Sequence, residues 1–363
     1  MSWHVLESQW PELMEGDPLA DCVVEDWSSA NPNAQSLLLQ GMKWGSKAVS
    51  QAPSSYRAFL EQAESVLASA PDLGLATQAY LLTKPIWISM GLGPGALIHT
   101  YADPAVAKTL ARTGRLLDAA AARRLAETQL WCLQLLRDGA WTVGGSGYVH
   151  TLQVRLMHAR VRKKIKDNTP AGDLANASMN QRRMVRTWLG FAVVGPQALE
   201  RLGIEWTEEE KTGVARLWQL VGRLMGIPDK LMESLSQPKG PQEWLTHFDR
   251  HADAPIQESL ELTRSMLEAL GKRMSVLLGL PFEVSHGLMH AFARHIHGDS
   301  MSDLMGILPS DVTSLVPVYI DANRYRLQQI RGDERIRQRQ LHQSKLEIEA
   351  ILSSFSGETA YQQ

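Results

Sequence analysis

The run from Tyr148 to Lys164, YVHTLQVRLMHARVRKK, limits what this chain can fold into more than any other segment. Wound as a helix of about 3.6 residues per turn, it carries two apolar stripes. Val149, Leu152 and Leu156 form one, and Val154, Met157 and Val161 form the other. Gln153, Arg160 and Lys164 lie between them on a strip suited to water. Thr151, Arg155, His158 and Arg162 fill the opposite strip, with Tyr148 at its edge. An ordinary amphipathic helix has one apolar face and one polar face. If both stripes here are covered, one polar strip goes inside with them. Buried arginine and histidine need partners, because an unpaired buried charge is strongly destabilising. The partner is either a carboxylate of the fold or a ligand.

The remaining chain also reads as helix, so the expected fold class is all-α in a single large helical domain. Residues 1–50 carry few periodic signals and read as an arm of short helices and loops. A helical body spans 51–332, and 333–363 is a polar outer helix and tail. Helices are expected over Ser54–Ala68, Leu75–Met90 with a break at Pro85, Pro104–Leu117, Ala119–Asp138 and Asn180–Leu202. Thr207 and Glu210 make a capping box. Gly226, Gly279 and Gly306, each followed by a proline, are stop signals. The GGSG at 144–147 lacks the Lys-Ser or Lys-Thr of a phosphate loop and reads as a flexible connector.

Composition narrows the function classes. A formal charge of −2 over 363 residues leaves no cationic excess for phosphates, so nucleic acid is not the expected partner. Two cysteines, Cys22 and Cys132, cannot build a disulfide framework or a Cys-pair zinc site. No apolar run reaches the roughly 18 residues of a membrane span, and the start has no basic-then-apolar leader, so a cytoplasmic protein is expected. Eleven Trp and fourteen Met suit a well-packed helical core and also suit pockets for greasy ligands.

Two constellations bear on chemistry. Glu283, His286 and His290 have metal-ligand spacing, but with Arg294 and His297 they form one polar stripe opposite Leu288, Phe292 and Ile296. That pattern reads as the solvated side of a surface helix. His158 differs, because it shares the sequestered strip with Arg155 and Arg162. Glu127, on the apolar central helix, is a candidate carboxylate partner for a buried network. No Ser/His/Asp or Cys/His arrangement stands out.

Several segments, in order, resemble one family: Glu15–Asp21 (EGDPLAD), Arg124–Thr128 (RLAET), Val154–Arg162 (VRLMHARVR), Asn180-Gln181 with Thr187 and Phe191, Leu202-Gly203, and Gly222–Pro228 (GRLMGIP). The chain is similar over roughly residues 15–310 to the latex-clearing rubber oxygenases and MpaB-type oxygenases. The resemblance implies an all-α fold with a globin-like core, a b-type haem, and O2-dependent cleavage of long apolar substrates. It also implies a changed ligand set. In rubber-cleaving members the proximal histidine follows a Thr-Trp pair, whereas here Leu189 follows Thr187-Trp188. Those members carry a lysine at the place of His158, and their catalytic glutamate falls near Gly139, where Asp138 is the neighbouring acid. Either His158 has become the iron ligand or the chain no longer binds haem.

The leading expectation is a haem-dependent oxygenase or oxidoreductase acting with O2 on a small apolar substrate. His158 would ligate the iron, and Glu127 would fix its tautomer. Arg155 would face a haem propionate or bound oxygen, and Arg162 would hold the network. The alternative is a non-catalytic helical binding or scaffold protein in which Arg155, His158, Arg162 and Glu127 form only an ion network. His150 and His99 are the reserve ligands.

Overall fold

The structure, a computed structural model, describes residues 7–30, 34–112, 118–168, 179–355 and 357–362. Every regular element among them is helical, as expected. The arm contributes α1 (Pro18–Ala30) and α2 (Ala34–Trp44). The body follows with α3 (Ser54–Ala68), α4 (Gly74–Thr83), α5 (Pro85–Tyr101), α6 (Pro104–Arg112), α7 (Asp118–Gln134) and α8 (Ser146–Asn168). Leu117, the expected end of α6, lies outside the described residues. Next comes α9, residues 181–201, then α10 (Glu208–Leu224), α11 (Asp229–Leu235), α12 (Gly240–Arg250), α13 (Gln257–Leu278), α14 (Phe282–Leu304), α15 (Val316–Gly332) and α16 (Glu334–Ser354).

Local chemistry explains most boundaries. Asn180 caps α9 through the Arg183 N–H, and Thr207 with Glu210 forms the expected box at the start of α10. Gly226, Gly279 and Gly306 all have positive φ, the left-handed backbone that glycine adopts without a steric penalty. At Pro85 the chain turns through 91° between α4 and α5, with Lys84 at φ 79°. Two rods contain a wide π-helical turn, Gly91–Leu97 in α5 and Gly190–Val194 in α9. The two turns pack against each other. Gly91 and Gly95 also let α5 approach the residues just after the second turn: a Cβ on Gly91 would lie 2.9 Å from Leu199, and one on Gly95 would lie 2.6 Å from Ala198.

Helix α8 is covered by α1, α2, α7 and α10. Leu152, Leu156 and Val154 are buried, and so are Thr151 and Arg155 on the inner polar strip. The outer strip departs from expectation. Gln153 is buried rather than solvated, and the C-terminal segment reaches the same side of the helix, with Tyr361 edge-on to His150 and the Ala360 carbonyl accepting from Arg160. The GGSG segment is also not a loose connector. Gly144 lies against the Lys43 carbonyl, where a Cβ would come within 2.5 Å, and the Tyr148 N–H is bonded to Ala140 O.

The most deeply buried ion pair that fastens the arm joins Arg155 to Asp17. Arg155 on α8 donates twice to Asp17, from Nε to Oδ2 at 2.6 Å and from Nη2 to Oδ1 at 2.9 Å. Asp17 also accepts the Ala20 N–H and so caps α1, and Pro18 takes the first-turn position that needs no donor. The Arg155 guanidinium lies over Phe59, 4.9 Å from the ring centre, and gives its remaining Nη1 to Gln62 and the Leu224 carbonyl. Gly226 closes the site. A Cβ there would sit 2.3 Å from Asp17 Oδ2 and 2.7 Å from Arg155 Nε.

Three outcomes follow from this packing. Gly226→Ala combines a positive φ with a clash onto the pair, and should cost about 1–3 kcal/mol in urea unfolding. Asp17→Asn or Arg155→Met alone leaves an uncompensated charge or donor and should cost about 3–5 kcal/mol, while the double variant loses clearly less than the sum of the two. On α14, His297 donates Nε2–H to Pro94 O at 2.7 Å, and burial pushes its pKa down to about 4. Its unfolded value is 6.5, so its share of stability is present above that pH and is lost as pH falls toward 4. His297→Gln should shrink the drop in urea midpoint between pH 7 and pH 4.5.

Candidate functional site

The inner strip of α8 divides into groups that serve the fold and one that is left over. Arg155 is fully engaged with Asp17, Gln62 and Leu224, so the expectation that it faces a propionate or oxygen gives way to a structural role. Arg162, one turn and more along, pairs with Asp21 of α1 through Nε at 2.8 Å and Nη2 at 2.7 Å. Gly16 is pressed between them, with a Cβ position 2.7 Å from Asp21 Oδ2 and 3.4 Å from Arg162 Nε. Gln181, at the start of α9, ties the same corner by donating to the carbonyls of Gly16 and Gly226.

His158 lies between these two arginines in the chain. Its Nδ1 is shielded from water and has no hydrogen-bond partner. Burial and the nearby Arg162 charge push its pKa down to about 4 against the opposing pull of Asp17, so the ring is neutral at pH 7. A neutral imidazole with a free ring nitrogen is the donor that iron takes. The donor chemistry of this one residue therefore fits a haem iron.

The other expected site residues are elsewhere. Glu127 is buried on α7 but does not partner His158. It takes the Arg123 Nε at 3.0 Å and the Ala360 N–H at 3.0 Å, and so clamps the C-terminal segment. Asp138 is on the surface, paired with Lys345 of α16. Leu189 is fully buried and offers no donor. Of the reserve ligands, His99 is engaged at both nitrogens, with Asp249 at 2.9 Å and Arg186 at 2.7 Å. His150 keeps an unpartnered Nδ1 but faces Tyr361 of the terminal segment. The histidine stripe of α14 is less solvated than its wheel suggests, since His297 turns inward to Pro94 and His286 Nε2 is shielded. Among the described residues no three His, Cys, Asp or Glu side chains are grouped to hold a metal ion.

Beside α8 the interior is aromatic. Trp131 donates Nε1–H to Thr151, and its ring meets Phe191 at 5.6 Å and Trp218 at 6.2 Å. Phe191 and Trp218 line an apolar cavity of about 40 Å³ next to the paired wide turns, with Leu92, Cys132, Leu136 and Leu199. His158 is not among its lining residues. Sequence reasoning missed Asp17 and Asp21 as the carboxylates for the strip. The signal was available in the EGDPLAD segment, whose Asp-Pro pair marks a helix start that needs a partner for its second charge.

The catalytic domain described as that of the ER-bound oxygenase mpaB/B' and rubber oxygenase matches residues 83–324. A solved structure titled as latex clearing protein LCP in the closed state has the same fold, with a TM-score of 0.66 at 17% identity. The match covers 96% of this chain and 92% of that one. Among curated proteins compared with the chain, none matches. Since the match to the domain spans α5 to α15, well over half of the chain, and includes His158, this chain belongs to the mpaB/rubber oxygenase catalytic-domain family.

Proposed function

We propose that this chain is an oxygenase that uses O2 and a b-type haem on a small apolar substrate, with His158 as the iron ligand. The observation that carries the reading is the shielded, unpartnered Nδ1 of a neutral imidazole on the inner strip of α8. A bound haem would supply the oxygen-binding iron and the redox chemistry. The chain would hold the iron through His158, keep that ring neutral through burial and the Arg162 charge, and fix α8 through the Arg155–Asp17 and Arg162–Asp21 pairs. The aromatic wall of Trp131, Phe191 and Trp218 would exclude water and favour an apolar substrate.

A second reading, a non-catalytic helical protein, is favoured by two observations. Leu189 replaces a donor, and the Arg155 donors are already taken within the protein. The visible spectrum of protein produced with a haem precursor separates them. A Soret band that His158→Ala abolishes, with the circular dichroism unchanged, supports the oxygenase. No Soret band with haem supplied supports the scaffold, and a band that survives His158→Ala moves the ligand to His150.

A further inference from the structure

The cavity beside the paired wide turns carries an inference of its own. Its lining comes from five parts of the chain: Tyr80, Ile88 with the wide turn of α5, Cys132 to Leu136, the wide turn of α9 with Leu199, and Leu217 to Trp218. All of these residues are buried except Phe191 and Pro196, which are partly exposed. Those two therefore mark the route to the outside, and both belong to the wide turn of α9 or the residues directly after it.

Size and polarity select the occupant. Pockets for drug-sized ligands run to about 300–1,000 Å³, so a space of about 40 Å³ admits neither a haem nor a prenyl chain. It does exceed the roughly 10–15 Å³ that one water needs, but water also needs two to four polar partners. The lining side chains offer few: only Tyr80 and Cys132 carry a polar atom apart from the already bonded Trp218 indole. The Tyr80 hydroxyl already accepts from Trp218 Nε1 at 2.9 Å, and Cys132 is buried as a neutral thiol, its pKa raised to about 12. A dry apolar space of this volume suits a small apolar molecule of two or so atoms.

We propose that this cavity is a docking site for molecular oxygen, reached past Phe191. The assignment rests on the oxygenase reading for its choice of gas, and on the cavity's size and dryness for the site. The Phe191 ring meets Trp131 edge to face, and Trp131 is bonded to Thr151 on the strip that carries His158. Two rings, Phe191 and Trp131, lie between oxygen held here and Thr151, which is about two helical turns from His158 on the same strip. The site thus concentrates the co-substrate without admitting the solvent that would compete with it.

The full-length chain as purified, with leucine methyl groups labelled, tests this by NMR under xenon and under oxygen. The methyl signals of Leu92, Leu136 and Leu199 should shift saturably with xenon pressure and broaden under oxygen more than surface leucine methyls do. Leu136→Phe and Cys132→Leu each fill the space and should abolish both responses, read only in whichever variant keeps the wild-type circular dichroism. Cavity methyls that respond no more than surface ones overturn the docking site, as does a wild-type response in a folded, filled variant. These signals need no bound haem, so they fail independently of the Soret test: a missing Soret band leaves them unchanged, and silent methyls leave the spectrum unchanged.

Discussion

The pairing of Arg155 with Asp17 is the interaction on which the rest of this structure depends. It is almost fully buried on both sides, so neither charge has water to fall back on. Five pieces of the chain meet around it: the start of α1, the α3 face with Phe59 and Gln62, the middle of α8, the end of α10 and the glycine stop that follows. Removing either partner strands the other in an apolar setting, which is far more destabilising than exchanging both for apolar groups. The pair therefore specifies an arrangement more than it adds stability. It fixes where the N-terminal arm lies, and the arm in turn covers one stripe of α8.

That fixation shapes the chemistry. On a strip that carries two arginines and one histidine, both arginines are neutralised by carboxylates of the arm. The histidine is left neutral and unpartnered at Nδ1. A strip designed only for stability would leave no shielded nitrogen unsatisfied, because such an atom loses its hydrogen bond to water with nothing in return. On this strip the Tyr148 hydroxyl and His158 Nδ1 are both left without a partner, and of the two the neutral imidazole nitrogen is the common metal ligand. This is why the functional reading rests on His158 and not on the charge network around it.

Much of the fold was legible because it is written locally. The boundaries of α3, the capping box of α10, the break at Pro85 and the three left-handed glycines all follow from neighbouring residues. The burial of the inner strip of α8 was also legible, because two apolar stripes leave no alternative. The partner of Arg155 was not, since Asp17 lies 138 residues away and only tertiary packing brings it there. Glu127 had the right charge and the right burial but faces the C-terminal segment. The same segment also reaches His150 and Arg160 on the outer side of α8, another contact that no local pattern announces. The wide turns in α5 and α9 left no trace in the hydrophobic pattern, because one extra residue in a turn shifts the apolar face too little to notice.

Those two turns have a consequence for how the interior can change. A π-turn holds about one residue more than a turn of the α-helix on either side, and such turns are frequent at functional sites. Here the wide turn of α5 lies against that of α9 and the residues just after it, and its glycines leave only Leu199 and Ala198 between the two rods. A change of register in one rod would press directly on the other. The volume between them is therefore tied to the register of both helices and not only to the rotamer of a single side chain.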